Sequence, residues 1–136
     1  MSESEKRSIL IIDDDKTIRK LINHHLKLNN FTTFEAENSN QAFDILKNEK
    51  IDLVLSEVTM EGMDGFALQQ KLNSNGFRIP IIFMSADKNI KLSEQYLKAS
   101  GAVGFLQKPF NDRALFGLIK VAVEKKLEIS IKHGNG

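Results

Sequence analysis

The chain has no cysteine, no block of one charge sign and no long apolar run, and each absence removes a class of function. Without cysteine there are no disulfides and no thiolate metal sites, a composition compatible with a reducing cytosol. Lysine and arginine number 19 against 18 acids, and the lysines have carboxylates among them, so no single-signed face is offered to nucleic acid or anionic lipid. No apolar stretch nears the roughly 18 residues of a membrane span, and residues 1–8 lack the apolar core of a signal peptide. The expectation is a soluble, cytoplasmic protein that engages neither nucleic acid nor membrane.

What is present describes a compact domain. The 136 residues fit one domain, and 41% hydrophobic with 27% charged residues supplies apolar surface for a core. Four short aliphatic runs, at 9–12, 53–55, 81–84 and 103–106, predict strands covered on both faces, and the more polar 31–36 predicts a fifth near an edge. Between them, apolar residues recur at helical spacing: Ile18, Leu21, Ile22 and Leu26 after a capping Asp15; Ala42, Phe43, Ile45 and Leu46 from Ser39; Phe66, Leu68 and Leu72. Ile90, Leu92, Tyr96 and Leu97 predict a fourth helix stopped at Gly101. Leu115, Leu118, Ile119 and Ala122 predict a fifth, capped by Asn111. Strand and helix alternate five times, so the expected class is α/β with a parallel sheet between two helical layers. A short N-terminal extension (1–7) precedes the domain at 8–127, and a frayed tail (128–136) follows, with no linker toward a further domain.

In open α/β sheets, ligands bind beyond the carboxyl ends of the strands. There the first strand ends in Asp13, Asp14 and Asp15, the third in Glu57, the fourth in Ser85, and the fifth is followed by Lys108 and Pro109. Clustered carboxylates repel unless a cation sits among them. Mg²⁺ suits oxygen-only ligands and Lys108 offsets remaining charge. A metal, a lysine and a hydroxyl are the groups that stabilise charge in phosphoryl transfer.

These residues resemble the receiver domain of bacterial two-component response regulators. "ILIIDDD" is similar to its first strand and acidic pair, "DLVLSEVTMEGMDG" to its phosphoacceptor strand and loop, "IIFMSA" to its switch-hydroxyl strand, and "GAVGFLQKPF" to its lysine strand. The resemblance spans about residues 8–127. It implies a flavodoxin-like (βα)5 fold with strand order 2-1-3-4-5. It further implies Mg²⁺ held by Asp13, Asp14, the acid at 57 and the Thr59 carbonyl, with Ser85 as the hydroxyl that follows the phosphoryl group and Lys108 as its cationic partner. Phe105 would be the aromatic switch, and Lys108-Pro109 a cis peptide. Partners implied are a sensor histidine kinase or phosphotransfer protein, a downstream target protein, and a homodimer through the fourth helix, fifth strand and fifth helix.

The pattern breaks at Glu57, which stands where the family has its phosphoacceptor aspartate. Asp52 precedes the strand, Asp64 lies in the loop, and Ser56 points to the opposite face, so the position belongs to Glu57. The extra methylene displaces the carboxylate, and about 1 Å of displacement can cost on the order of 100-fold in rate. Phosphorylation slow or absent is the expectation, with partial constitutive activity, a locked inactive form and a silent scaffold all open. The alternative is a conventional receiver carrying an engineered Asp-to-Glu change, or one phosphorylated on Glu57. A Mg²⁺-dependent phosphohydrolase lacks its nucleophilic aspartate and general acid here, so no enzyme is expected. Glu61, where the family usually has proline, is a second departure. His24 and His25 read as surface residues, Gly62 and Gly65 as turn glycines, and Lys120, Lys125 and Lys126 as a solvated face.

Overall fold

The computed structural model describes residues 6–90 and 102–134, with side chains to residue 124. Five strands, β1 (Ser8–Ile12), β2 (Thr32–Ala36), β3 (Leu53–Glu57), β4 (Ile81–Ser85) and β5 (Ala102–Gln107), form one sheet in the order β2-β1-β3-β4-β5. Every pairing is parallel. The helices among the described residues are α1 (Lys16–Leu28), α2 (Ser39–Asn48), α3 (Gly65–Ser74) and α4 (Asp112–Gly134).

Three of the four aliphatic runs become the central strands β1, β3 and β4, covered on both faces, while the fourth, 103–106, becomes β5 at the edge opposite β2, with Val103 and Phe105 only half-buried. Successive side chains of a strand point to opposite faces. Leu10 and Ile12 therefore join Ala42, Leu46, Leu68 and Leu72 in a core beneath α2 and α3. Ile9 and Ile11 join Ile22, Leu26, Leu115 and Ile119 in a second core beneath α1 and α4. Polar β2 lies at one edge, as its composition predicts.

Caps set the helix starts. Asp15 accepts from the amides of Thr17 and Ile18, Asp64 from Ala67, and Asn111 from Ala114. Asn38, rather than Ser39, caps α2, accepting from the Gln41 amide; Ser39 is the first helical residue and donates its hydroxyl to the Met63 carbonyl.

One further expectation is revised. Leu21 does not face the core: it is 57% exposed, and the inward stripe of α1 is Arg19, Ile22 and Leu26. The final helix extends through Gly134. Ile90 is half-buried against the α2–α3 core, while Leu92, Tyr96, Leu97 and Gly101 of the predicted fourth helix lie outside the described residues. No described helix is long and apolar enough to cross a membrane.

Leu55 is fully buried in the centre of the sheet. Leu55→Ala is expected to lower unfolding free energy by about 2–5 kcal/mol in urea titration. Leu21→Ala, on the exposed side of α1, is expected to change it by less than about 0.5 kcal/mol.

Candidate functional site

Strand register gathers the site. Ile12 pairs with Ser56, so the residues that follow, Asp13 and Glu57, leave β1 and β3 side by side. Glu57 pairs with Met84, and Ser85 pairs with Gln107, which brings Ser85 and Lys108 to the same rim. Parallel pairing makes all four strands end there together.

Three charged side chains meet at this rim, out of solvent. Asp13 is 1% exposed, Lys108 8% and Glu57 9%. The Lys108 ammonium donates to Asp13 Oδ2 at 2.6 Å and to Glu57 Oε1 at 3.3 Å. The shorter contact is a strong charge-assisted bond and the longer one weak, so the lysine is shared unequally. Asp13 Oδ1 also accepts from the Asp15 amide at 2.9 Å, and Glu57 Oε2 folds back to accept from the Val58 amide at 3.1 Å.

Burial is the first influence on the acidity of Glu57. Burial pushes its carboxyl above the usual value of 4.5; the Lys108 charge pulls the other way, the Asp13 carboxylate adds to the rise, and the Lys108 and Val58 hydrogen bonds offset only part. One ammonium facing two carboxylates leaves Glu57 as the under-compensated partner.

Ser85 is 1% exposed; its hydroxyl oxygen accepts from the Asp87 amide at 3.0 Å, and its carbonyl accepts from the Lys108 amide at 2.8 Å. The Lys108-Pro109 peptide is cis. Phe105 pairs in register with Phe83 and is half-buried against the α2–α3 core. Asp14 and Thr59 are exposed. Asp14 lines a neighbouring cleft of about 460 Å³ with Glu37, Asn38, Glu61 and Gly62.

The other acids considered for position 57 are occupied elsewhere. Asp52 accepts from the Ser8 amide at the opposite end of the sheet, and Asp64 caps α3. Ser56 is buried, with its hydroxyl on the Glu57 carbonyl. Gly65 is more than a turn glycine: it opens α3, its amide donates to the Val58 carbonyl at 2.8 Å, and an added Cβ would stand 2.6 Å from the Glu57 carbonyl oxygen.

His25 lies 3.2 Å from Asp112 on α4, and its ring meets that of His24 edge to face. Among the described residues, no three acidic or imidazole side chains are gathered as a metal site. Asp13, Asp14 and Glu57 still offer the oxygen-only donor chemistry that suits Mg²⁺, which keeps waters of its own. Lys108 is the cation now neutralising two of them.

Sequence reasoning missed Arg19, which is 9% exposed and donates to the Asp13 carbonyl. Its spacing of three and seven residues from Ile22 and Leu26 was the available signal: an arginine on an inward stripe needs buried partners.

Because the fold raises the Glu57 pKa, the folded state holds this proton more tightly than the unfolded chain does. The contribution of Glu57 to stability is therefore fully present below the ordinary value of 4.5 and lost as pH rises through the folded pKa. Glu57→Gln removes that loss. The stability of the glutamine variant relative to the parent should rise with pH across this window in urea unfolding; a pH-independent difference would contradict the assignment.

A family model described as response regulator receiver domain matches residues 9–120. Sporulation initiation phosphotransferase F of Bacillus subtilis is 34% identical over 121 residues, covering 89% of this chain and 94% of that protein. Heme response regulator HssR of Staphylococcus epidermidis is 30% identical over 116 residues, covering 85% of this chain but 51% of that protein. The chain thus spans about half the length of some curated relatives and nearly all of another. The solved structure of response regulator StyR superposes with a TM-score of 0.83 at 25% identity, covering 96% of this chain and 65% of that one.

Proposed function

The chain belongs to the response regulator receiver domain family, and from that premise we propose that it is an atypical receiver, acting in phosphorelay signalling through protein–protein binding, with little or no phosphorylation at Glu57. The observation that supports this most is the buried trio of Asp13, Lys108 and Glu57 at the strand-end rim, with Ser85 beside it. It has the charge arrangement of a phosphoryl-handling site around an acid one methylene longer than aspartate.

The role of each side chain follows from its place. Glu57 occupies the phosphoacceptor position. Its carboxylate is engaged twice, by Lys108 and by its own following amide, so it lies folded back along the strand end. In-line attack on a phosphodonor requires near-contact alignment that this longer, tethered arm disfavours. Lys108 is the cation for Asp13 and Glu57, and Ser85 the hydroxyl positioned to follow added charge. Phe105, packed on the side of the sheet that carries α2 and α3, is the switch residue that would relay a change at Ser85.

Mg²⁺, held by Asp13, Asp14, Glu57 and the Thr59 carbonyl, would supply positive charge to a phosphoryl group. Lys108 competes with it for the two buried carboxylates. Binding weaker than in an aspartate-bearing site follows from the longer side chain, whose carboxylate is displaced from the position an aspartate would hold.

The partners that fit are an upstream sensor histidine kinase or phosphotransfer protein and a downstream target protein. A regulatory binding role needs no turnover of a small molecule, so the protein is not expected to be an enzyme. A homodimer would use β5, α4 and the predicted helix before β5. Signalling here would then depend on which conformation Glu57 favours, with a population change of about tenfold for each 1.4 kcal/mol of difference.

The test is intact mass after incubation with a small phosphodonor and Mg²⁺, run on this protein beside Glu57→Asp. Glu57→Asp is expected to gain one phosphoryl group while the parent gains none, or gains it at least about 100-fold more slowly. Equal labelling of both would replace the proposal with a conventional receiver phosphorylated on Glu57. Labelling of neither would mean that the apparatus around position 57 is not a working phosphoryl site.

A further inference from the structure

We propose that Arg19 is a positioning residue for the Asp13–Lys108 pair, acting through the Asp13 backbone and braced by Glu35. The inference rests on the pair being the functional site, but its geometry and its test involve no phosphate.

A guanidinium buried to this degree is costly unless its donors are satisfied. Arg19 directs them to two places: Nη1 donates to the Asp13 carbonyl at 2.6 Å, and Nε donates to Glu35 Oε1 at 2.9 Å. The planar, rigid fork fixes the spacing between those acceptors in a way that the point charge of lysine does not. Glu35 is itself held, accepting from Lys20 Nζ at 2.9 Å and from Asn23 Nδ2, while Asn23 Oδ1 accepts from the Thr33 hydroxyl at 2.6 Å. These bonds outweigh the burial that would push the Glu35 carboxyl up and hold it below its usual value. The brace therefore stays anionic and belongs to both α1 and the edge strand β2.

Asp13 is the first residue beyond β1, where strand pairing ends. Its amide donates to the Ala36 carbonyl at 3.1 Å, and its carbonyl receives Arg19. With the peptide groups on both sides tied, the direction of its Cα–Cβ bond is set. The carboxylate then reaches the Asp15 amide with one oxygen and Lys108 with the other. The hydrogen bonds of Arg19 go to Asp13 and Glu35, so its influence on Lys108 passes through Asp13.

A merely structural brace between α1 and β2 would change stability without touching Lys108. A double-mutant cycle separates the two roles. Arg19→Gln, Lys108→Met and the double variant, made in the full chain and unfolded in urea, are expected to be non-additive by about fivefold or more in the folding equilibrium constant, as for residues that share a partner. Lys20→Gln with Lys108→Met, which shares the Glu35 brace but not the Asp13 contact, is expected to be additive within about twofold. Additivity of the Arg19 cycle, or equal coupling in the Lys20 cycle, overturns the proposal.

If Arg19→Gln does not fold, Arg19→Lys provides the same decision by NMR. It keeps the charge but cannot span both acceptors. The Lys108 ammonium proton signals are expected to shift and exchange faster with water while core amides keep their protection; unchanged Lys108 signals overturn the proposal. Neither measurement reads phosphorylation, so a negative result here leaves the phosphodonor result standing, and the reverse.

Discussion

The Lys108 ammonium between two buried carboxylates is the interaction on which the site depends. Two acids at one strand-end rim, both nearly removed from water, repel each other at high cost unless a cation lies between them. Lys108 supplies it, at 2.6 Å from Asp13 and 3.3 Å from Glu57. The trio retains one uncompensated negative charge when all three groups are ionised. That remainder falls on Glu57, the partner with the longer contact and the raised pKa. The site is thus poised toward positive charge.

The scaffold achieves this without elaborate local structure. Parallel pairing in register ends β1, β3, β4 and β5 on one side of the sheet. Two separate cores, one under α1 and α4 and one under α2 and α3, pack the sheet from both faces. Close approach finishes the work. Gly65 lets the start of α3 press against the Glu57 carbonyl, and Arg19 ties the Asp13 carbonyl to the edge strand. Each contact falls on the backbone carbonyl of a buried rim carboxylate.

Glutamate fits this scaffold by a compromise. Its carboxylate is one methylene farther along, and the strand end accommodates it by folding it back onto the Val58 amide. Charge at position 57 is preserved; the reach and direction of that charge are altered. On the proposed reading, this would separate two properties that aspartate joins, namely neutralisation of Lys108 and presentation of an oxygen for attack. A receiver built this way would respond to partners through conformation more than through covalent chemistry.

Much was legible in the order of residues. The aliphatic runs gave the strands because β1, β3 and β4 are buried on both faces and need such continuous hydrophobicity, although the run at 103–106 became the half-buried edge strand β5, and Asp15 and Asn111 marked helix starts because their side chains satisfy free amides. Asp13, Glu57, Ser85 and Lys108 could be placed at one rim from topology alone, since parallel strands end on the same side. Leu21 was misplaced because helical spacing admits it to the inward stripe, whereas the helix is rotated to bury Arg19 instead. Arg19 escaped notice because its partners, the Asp13 carbonyl and Glu35, are a backbone atom and a residue on an edge strand. The chain by itself therefore determined the layers and the residues at the rim, both consequences of apolar periodicity and strand direction, while the strand order was legible through the motifs it shares with receiver domains. Only the tertiary structure decided how Lys108 divides itself between two acids, where the Glu57 carboxylate comes to rest and what holds Asp13 in place, because these depend on distances of a few ångströms between residues far apart in sequence.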